Sequence, residues 1–142
     1  MAERKYDKYM VEVPGEGRRG PGALLMSNEL VPGSDIYIEM GWIWEMPEPN
    51  PHIHAHSHED YDEVVLHIGA DPQNPEYLGA EIEFGVRDEK LTIDKTSALF
   101  VPKGVKHGPV TWKGVARPHI QMAIVLGAGN ISQANPAGYV KL

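Results

Sequence analysis

The chain has 142 residues, the usual size of one domain and enough to enclose a hydrophobic core. It contains no cysteine, so disulfides and thiolate zinc sites are excluded, and any metal must be bound by nitrogen and oxygen donors. The formal net charge of -7, with only 13 Lys and Arg residues, argues against a nucleic-acid partner. No apolar run approaches the length of a signal peptide or a membrane span, so we expect a cytoplasmic protein with no membrane partner.

Glycine and proline interrupt the sequence throughout, with 15 and 12 copies respectively. This spacing favours many short strands joined by turns and leaves little room for helices of ordinary length. We predict an irregular N-terminal arm over residues 1–22, where charges alternate with glycine and proline, and a single β domain over residues 23–142.

In chain order, short segments rich in β-branched, aromatic or alternating apolar residues predict a series of strands. The segments 70–76, 87–90, Pro102–Gly104 and Lys113–Gly114 carry turn residues and separate these strands. With no convincing amphipathic helix, seven or eight strands indicate a sandwich or a barrel. The predicted strands are 36–44, 64–68, 80–86, 91–93, 98–101, 110–112 and 120–126.

Four histidines stand at alternate positions in the segment His52, His54, His56 and His58. Alternate side chains of an extended chain project from one face, so imidazoles at this spacing can converge on a metal.

The pattern His56-x-His58, Glu63 and a strand ending at Gly69 resembles the first motif of the cupin superfamily. Pro102-x-Gly104-x-x-His107 resembles the second motif, and the two occur in the expected order. The resemblance implies an all-β, single cupin-type barrel, which is a double-stranded β-helix or jelly roll. It also implies that one divalent metal ion is held by His56, His58, Glu63 and His107.

The carboxylate ligand has two candidates, because neighbouring residues of a strand face opposite sides. If Asp62 points inward, its face continues as Val64, Leu66 and Ile68, a good apolar lining. If Glu63 points inward, its companions are Val65 and His67. Periodicity therefore favours Asp62, whereas the motif spacing and the longer side chain favour Glu63, which we expect to be the ligand.

Imidazole and carboxylate donors suit Fe, Mn, Zn or Ni, and four protein ligands leave coordination positions open for water or substrate. The resemblance therefore implies a metal-dependent enzyme acting on a small oxygenated organic molecule, such as a dioxygenase, isomerase, lyase or cyclase. The alternative is a non-catalytic cupin that binds a metal or a small ligand. His54 is a candidate base next to the metal ligands or a replacement for His56 as a ligand, and the alternative is an exposed loop histidine.

Three further expectations concern the surroundings of the site. Tyr37, Trp42 and Trp44 line the barrel mouth or belong to the core. A substrate carboxylate could be held by Lys103, Lys106 or Arg117. The apolar segments 36–44 and 120–126 exceed what one small barrel can bury, so we expect a homodimer.

Overall fold

The structure, a computed structural model, describes residues 5–13 and 23–127. These residues form eight β-strands and one short 3₁₀ helix, Asp7–Tyr9, so the prediction of an all-β protein is confirmed. No helix within the described ranges is long and apolar enough to cross a membrane. The strands are β1 (Ala23–Met26), β2 (Ile36–Ile43), β3 (Asp62–Gly69), β4 (Tyr77–Val86), β5 (Glu89–Lys95), β6 (Ser97–Val101), β7 (His107–Val115) and β8 (His119–Leu126).

The strands form two antiparallel sheets that face each other. One sheet has five strands in the order β1-β2-β8-β3-β6, and the other has three in the order β5-β4-β7. Side chains from the inner faces of both sheets form the core. They come from alternate residues of each strand, because successive side chains point to opposite faces. The main core cluster contains Ile43, Val65, Leu78, Ile82, Phe84, Ile93, Val110 and Trp112.

Seven of the eight strands fall on predicted segments, with ends that shift by a few residues. The exception is β1, whose four residues are too few to show a period. The division into an arm over 1–22 and a domain over 23–142 stays a prediction, because residues 14–22 and 128–142 lie outside the described ranges.

The prediction of a turn at Lys113–Gly114 is wrong, because both residues lie inside β7. Gly114 pairs with Glu81 of β4. The register of this ladder shifts between Glu81 and Ile82, as it does at a β-bulge. The Lys113 ammonium lies 3.8 Å from the Glu83 carboxylate on the outer surface. The chain turns after Val115, where the backbone N–H of Arg117 donates to the Gly79 carbonyl at 2.9 Å.

The histidine-rich segment runs beside β7 and covers one end of the barrel. His56 and His107 exchange two backbone hydrogen bonds of 2.8 Å, and Ile53 forms a second bridge with Val110. This approach requires glycine at position 108, where φ is +90° and a Cβ atom would lie 2.8 Å from the His54 carbonyl oxygen. The pairing brings the two motifs together at this end, which we call the mouth of the barrel.

Candidate metal centre

Four side chains meet at the mouth: His56, His58, Glu63 and His107. Each offers one donor atom, and these four atoms all lie within 4.8 Å of one another. The Oε2 atom of Glu63 is 3.0 Å from Nε2 of His107 and 3.1 Å from Nε2 of His58. The ring of His56 lies 4.4 Å from that of His107, centroid to centroid. The cluster therefore gathers three imidazoles around one carboxylate.

Three separate parts of the fold position these groups. Glu63 is the second residue of β3 and points inward, so it is only 7% exposed. His107 begins β7, and His56 is tied to it by the paired backbone bonds. The carbonyl of His58 accepts a 2.8 Å hydrogen bond from the backbone N–H of Gly104. The turn at Pro102–Gly104 thus orders the first motif as well as leading into the second.

Backbone carbonyls orient two of the imidazoles. Nδ1 of His56 lies 2.8 Å from the His54 carbonyl oxygen, and Nδ1 of His107 lies 2.9 Å from that of Val105. A carbonyl only accepts hydrogen bonds, so each Nδ1 must carry the proton. In the neutral form of each ring Nε2 is then the donor available to a metal, which is the usual arrangement of histidine ligands.

The pKa shifts maintain a charged carboxylate. Burial raises the pKa of Glu63, but hydrogen bonds from His107 and His58 outweigh this and lower it to about 2. Burial lowers the pKa of His107, yet the bonds to Glu63 and the Val105 carbonyl outweigh it, so the net shift is upward. Burial lowers the pKa of His56. An ionised Glu63 and a neutral His56 are the protonation states that a metal requires, whereas protons compete for His107.

The residues fit a divalent ion by the chemistry of their donors. Imidazole nitrogen and carboxylate oxygen are donors that Fe, Mn, Zn and Ni all accept. All four donor atoms lie close enough together to surround one ion.

Solved structures resemble this architecture throughout the chain. A protein with a double-stranded β-helix domain from Klebsiella pneumoniae is 17% identical, with a TM-score of 0.52 over 92% of each chain. A cupin protein from Bacteroides fragilis is 13% identical, with a TM-score of 0.51, over 94% of this chain and 100% of that one. The chain has the cupin fold.

The resemblance to the cupins inferred from the two motifs is therefore confirmed at the level of the fold. A third cupin-like structure, a predicted oxalate decarboxylase from Thermotoga maritima, is 16% identical, with a TM-score of 0.52, over 89% of this chain and 98% of that one. No family model matches the sequence, and no curated protein matches it.

Asp62 and His54 lie outside the interior of this cupin barrel. The Asp62 carboxylate accepts a 2.9 Å hydrogen bond from the backbone N–H of Lys103, on the opposite side of β3 from Glu63. The His54 imidazole is exposed, and only its backbone carbonyl contacts the cluster. His52 packs against Trp112 at 5.6 Å, so the four alternate histidines do not share one face. The chain between them is not a regular strand.

Phe84 is a neighbour of the cluster that carried no sequence signal. It stacks on the His107 ring at 6.5 Å with an interplanar angle of 7°. Tyr37, which we expected at the mouth or in the core, is buried and donates a hydrogen bond to Glu39 on the inner side of β2, and burial raises the pKa of the phenol. Strand pairing places these two residues two strands from Glu63.

The other aromatic and basic candidates lie elsewhere. Trp42 and Trp44 stack on each other at 6.3 Å, and Trp44 is 37% exposed. Arg117 forms an ion pair with Asp71 at 3.2 Å beyond the other end of β7 from His107. Lys103 and Lys106 are exposed residues of the mouth region.

Proposed function

We propose that this chain is a metal-dependent cupin enzyme that acts on a small oxygenated organic molecule. The observation that carries the proposal is the convergence of three imidazoles and one carboxylate, from two separated motifs, on donor atoms within 4.8 Å. His56, His58, Glu63 and His107 would hold one divalent ion. Four protein ligands leave positions for water or substrate around an octahedral ion, whereas around tetrahedral Zn they would close the site.

A metal bound here would act as a Lewis acid toward an oxygen of the substrate. The residues of the chain would orient the metal ligands and supply negative charge. The carbonyls of His54 and Val105 keep two Nε2 atoms directed into the cluster. Glu63 supplies a negative charge in a buried place, which strengthens cation binding.

The packing beneath the mouth supports a small substrate. Val65 is the next inward residue of β3 after Glu63, and both it and Phe84 belong to the main core cluster. Because these side chains fill the barrel below the cluster, a substrate must bind near the mouth. The Tyr37 and Glu39 pair faces the same interior and offers acceptor oxygen atoms to a hydroxyl group of the substrate.

A second candidate function is a cupin that binds a metal or a small ligand without catalysis. It is favoured by the ion pairs of the described residues, in which Lys90, Lys113 and Arg117 are all engaged away from the cluster. A site for an anionic substrate would benefit from a basic side chain directed at the metal. Water bound to the metal distinguishes the two functions, because an enzyme needs an exchangeable position.

The test is metal binding by protein prepared free of metal. Titration with Mn²⁺, followed by water proton relaxation, reports both affinity and the presence of exchangeable water. We expect one ion per chain, with rapidly exchanging water. His56→Ala should weaken binding at least about tenfold, equivalent to 1.4 kcal/mol. The matched control is His54→Ala, which removes an exposed imidazole two residues away and should leave the affinity unchanged.

Two results would count against the proposal. Equal affinities for wild type, His56→Ala and His54→Ala would show that the cluster is not the metal site. Binding of one ion without exchangeable water would support the non-catalytic function instead.

A further inference from the structure

The inner face of the five-stranded sheet is not closed evenly. Inward side chains of an internal strand are normally buried, because successive side chains alternate between the core and the outside. On β8, Ala123 is only partly buried although the next inward residue, Val125, is buried. On β2, Glu39 is only partly buried although the next inward residue, Tyr37, is buried. Solvent therefore reaches one inward position on each of these two strands.

The two accessible positions are neighbours. Glu39 pairs with Ala123 across β2 and β8, and in the next row toward the mouth Tyr37 pairs with Val125. Protein interiors are close packed, so adjacent inward positions that stay accessible mark a space that side chains do not fill. We call this space the recess. It is bounded by Tyr37, Glu39, Ala123 and Val125.

The recess lies beside the metal cluster and not beneath it. Val65 and Phe84 fill the barrel below Glu63, whereas the recess lies on the side of β2. Glu63 and Tyr37 stand in the same row, two strands apart, because Val125 pairs with both. Two strand spacings of about 4.8 Å separate their backbones. A molecule of a few carbon atoms can therefore reach from the cluster into the recess.

The polar groups of the recess accept hydrogen bonds. The Tyr37 hydroxyl donates its hydrogen bond to the Glu39 carboxylate. A carboxylate accepts at about four lone-pair sites and donates at none, and the phenol oxygen keeps its acceptor capacity. A ligand in the recess must therefore bring the donors, as hydroxyl groups do.

The charges around the recess favour a neutral ligand. The five strands of this sheet contain no Lys or Arg. A carboxylate of the ligand would face the Glu39 carboxylate with no basic side chain of these strands to offset the repulsion. An ammonium group would instead be repelled by a divalent ion in the cluster. A neutral molecule with several hydroxyl groups avoids both penalties.

We propose that the recess binds the hydroxylated part of a neutral polyol-like substrate, one oxygen of which binds the metal while another hydroxyl donates to Glu39. The inference rests on the proposed function, because the metal must hold the first oxygen. Glu39 determines the preference for hydroxyl over carboxylate, and the small Ala123 side chain leaves the necessary room. Leu24 and Tyr61 pack against Tyr37 and close the recess with apolar surface.

Proton relaxation of the ligand in the presence of Mn²⁺-loaded protein tests this inference, because the paramagnetic ion relaxes only ligand protons that come close to it. The probes are glycerol, erythritol and xylitol, each compared with the aldonic acid of the same chain length. The native protein should bind the polyols more tightly than the acids. Glu39→Gln should raise the Kd of the polyols at least about fivefold, since hydrogen bonds to a charged acceptor are the stronger ones, and should not raise that of the acids.

Two further variants separate the space from the charge. Ala123→Leu fills the recess and should abolish polyol binding while the carboxylate remains. Glu83→Gln is the matched control, because Glu83 forms ion pairs with Lys90 and Lys113 on the outer surface of the other sheet. It should leave the Kd of every probe unchanged. All three variants should keep the native affinity for Mn²⁺, since none of these residues belongs to the four clustered donors.

Several results would overturn the inference while leaving the metal site intact. They are acids that bind the native protein more tightly than polyols, polyols that do not bind the Mn²⁺-loaded protein, and equal effects of Glu39→Gln and Glu83→Gln. Polyol binding that survives Ala123→Leu would overturn it too. A loss of Mn²⁺ affinity in Glu39→Gln would assign Glu39 to the metal instead. Native protein that binds no Mn²⁺ would overturn the proposed function together with the inference.

Discussion

The two ends of β3 place buried polar side chains in two different settings. At the mouth, Glu63 lies between His58 and His107. At the opposite end, which we call the base, His67 lies 3.4 Å from the Gln121 amide and contacts the Trp112 ring at 6.2 Å. Both ends contain more than one histidine, but among the described residues only the mouth has a carboxylate between them.

The difference lies in where the imidazole lone pairs are directed. At the base, Nε2 of His119 accepts a 3.0 Å hydrogen bond from the Trp112 indole N–H, so this lone pair is already used. At the mouth, Nδ1 of His56 and of His107 is bound to a carbonyl, and both Nε2 atoms are directed into the cluster. Histidine number therefore does not identify a metal site. Nδ1 of His119 also lies near a backbone carbonyl, that of Arg117, at 3.4 Å, so what distinguishes the two ends is whether Nε2 is already used by a donor within the protein.

The comparison predicts that the base stabilises the fold and the mouth binds the metal. Trp112 is 1% exposed, so Trp112→Ala should reduce the free energy of unfolding by about 3–5 kcal/mol in guanidinium titrations of the metal-free protein. Trp44→Ala, at a 37% exposed tryptophan, is the control and should cost much less. Equal losses at the two positions would contradict the assignment of the base to the core.

The next largest effect is expected for metal affinity when the Glu63 carboxylate at the mouth is replaced. Glu63→Gln keeps the shape but removes the charge, and should reduce metal affinity about a hundredfold, or 2.7 kcal/mol, in isothermal titration. Asp62→Asn is the matched control on the other side of the strand and should change the affinity less than about threefold, since its contact is with Lys103. If Asp62→Asn caused the larger loss, the inward orientation of Glu63 would not be the basis of metal binding.

Acid should act on His67 at the base at a higher pH than on Glu63 at the mouth. Burial lowers the pKa of His67 to about 3, below its unfolded value near 6.5, so the unfolded state binds the extra proton first. Stability from this group is present above pH 6.5 and is lost as pH falls toward 3, by up to about 1.4 kcal/mol per pH unit. The contribution of Glu63, whose pKa is lowered to about 2, is lost only below about pH 4.5.

Urea titrations of the metal-free protein between pH 7 and pH 5 measure how steeply the free energy of unfolding falls as the pH is lowered. His67→Phe should make this slope shallower in that interval. Glu63→Gln should not make it shallower, because it removes the carboxylate that raises the pKa of His107. The same slope in wild type and His67→Phe would mean that His67 does not control the acid sensitivity.

Much of this architecture could be predicted from the sequence, since β-branched and alternating segments marked seven strands and the two motifs marked the four clustered side chains. Periodicity favoured the wrong orientation for Asp62, because it assumes that only the inner face of a strand is apolar. Here Val64 and Leu66 are apolar on the outer face. A strand with two apolar faces has no period that reveals which side is inside.

Other features depended on contacts between distant parts of the chain. The stacking of Phe84 on His107 follows from strand order and register. The turn at Lys113–Gly114 was predicted from local composition, but pairing with β4 extends the strand through it. Local propensity gives way to tertiary pairing at such positions.

The most direct test of the account is the metal affinity of His107→Ala. His107 begins β7, whereas Glu63 lies on β3 and His56 and His58 precede it, so His107 can affect metal binding only if the fold brings the two motifs together. Isothermal titration with Zn²⁺ should show affinity reduced at least about tenfold, or 1.4 kcal/mol, with the native circular dichroism retained. Unchanged affinity in a folded His107→Ala protein would contradict the claim that the four side chains form one metal site.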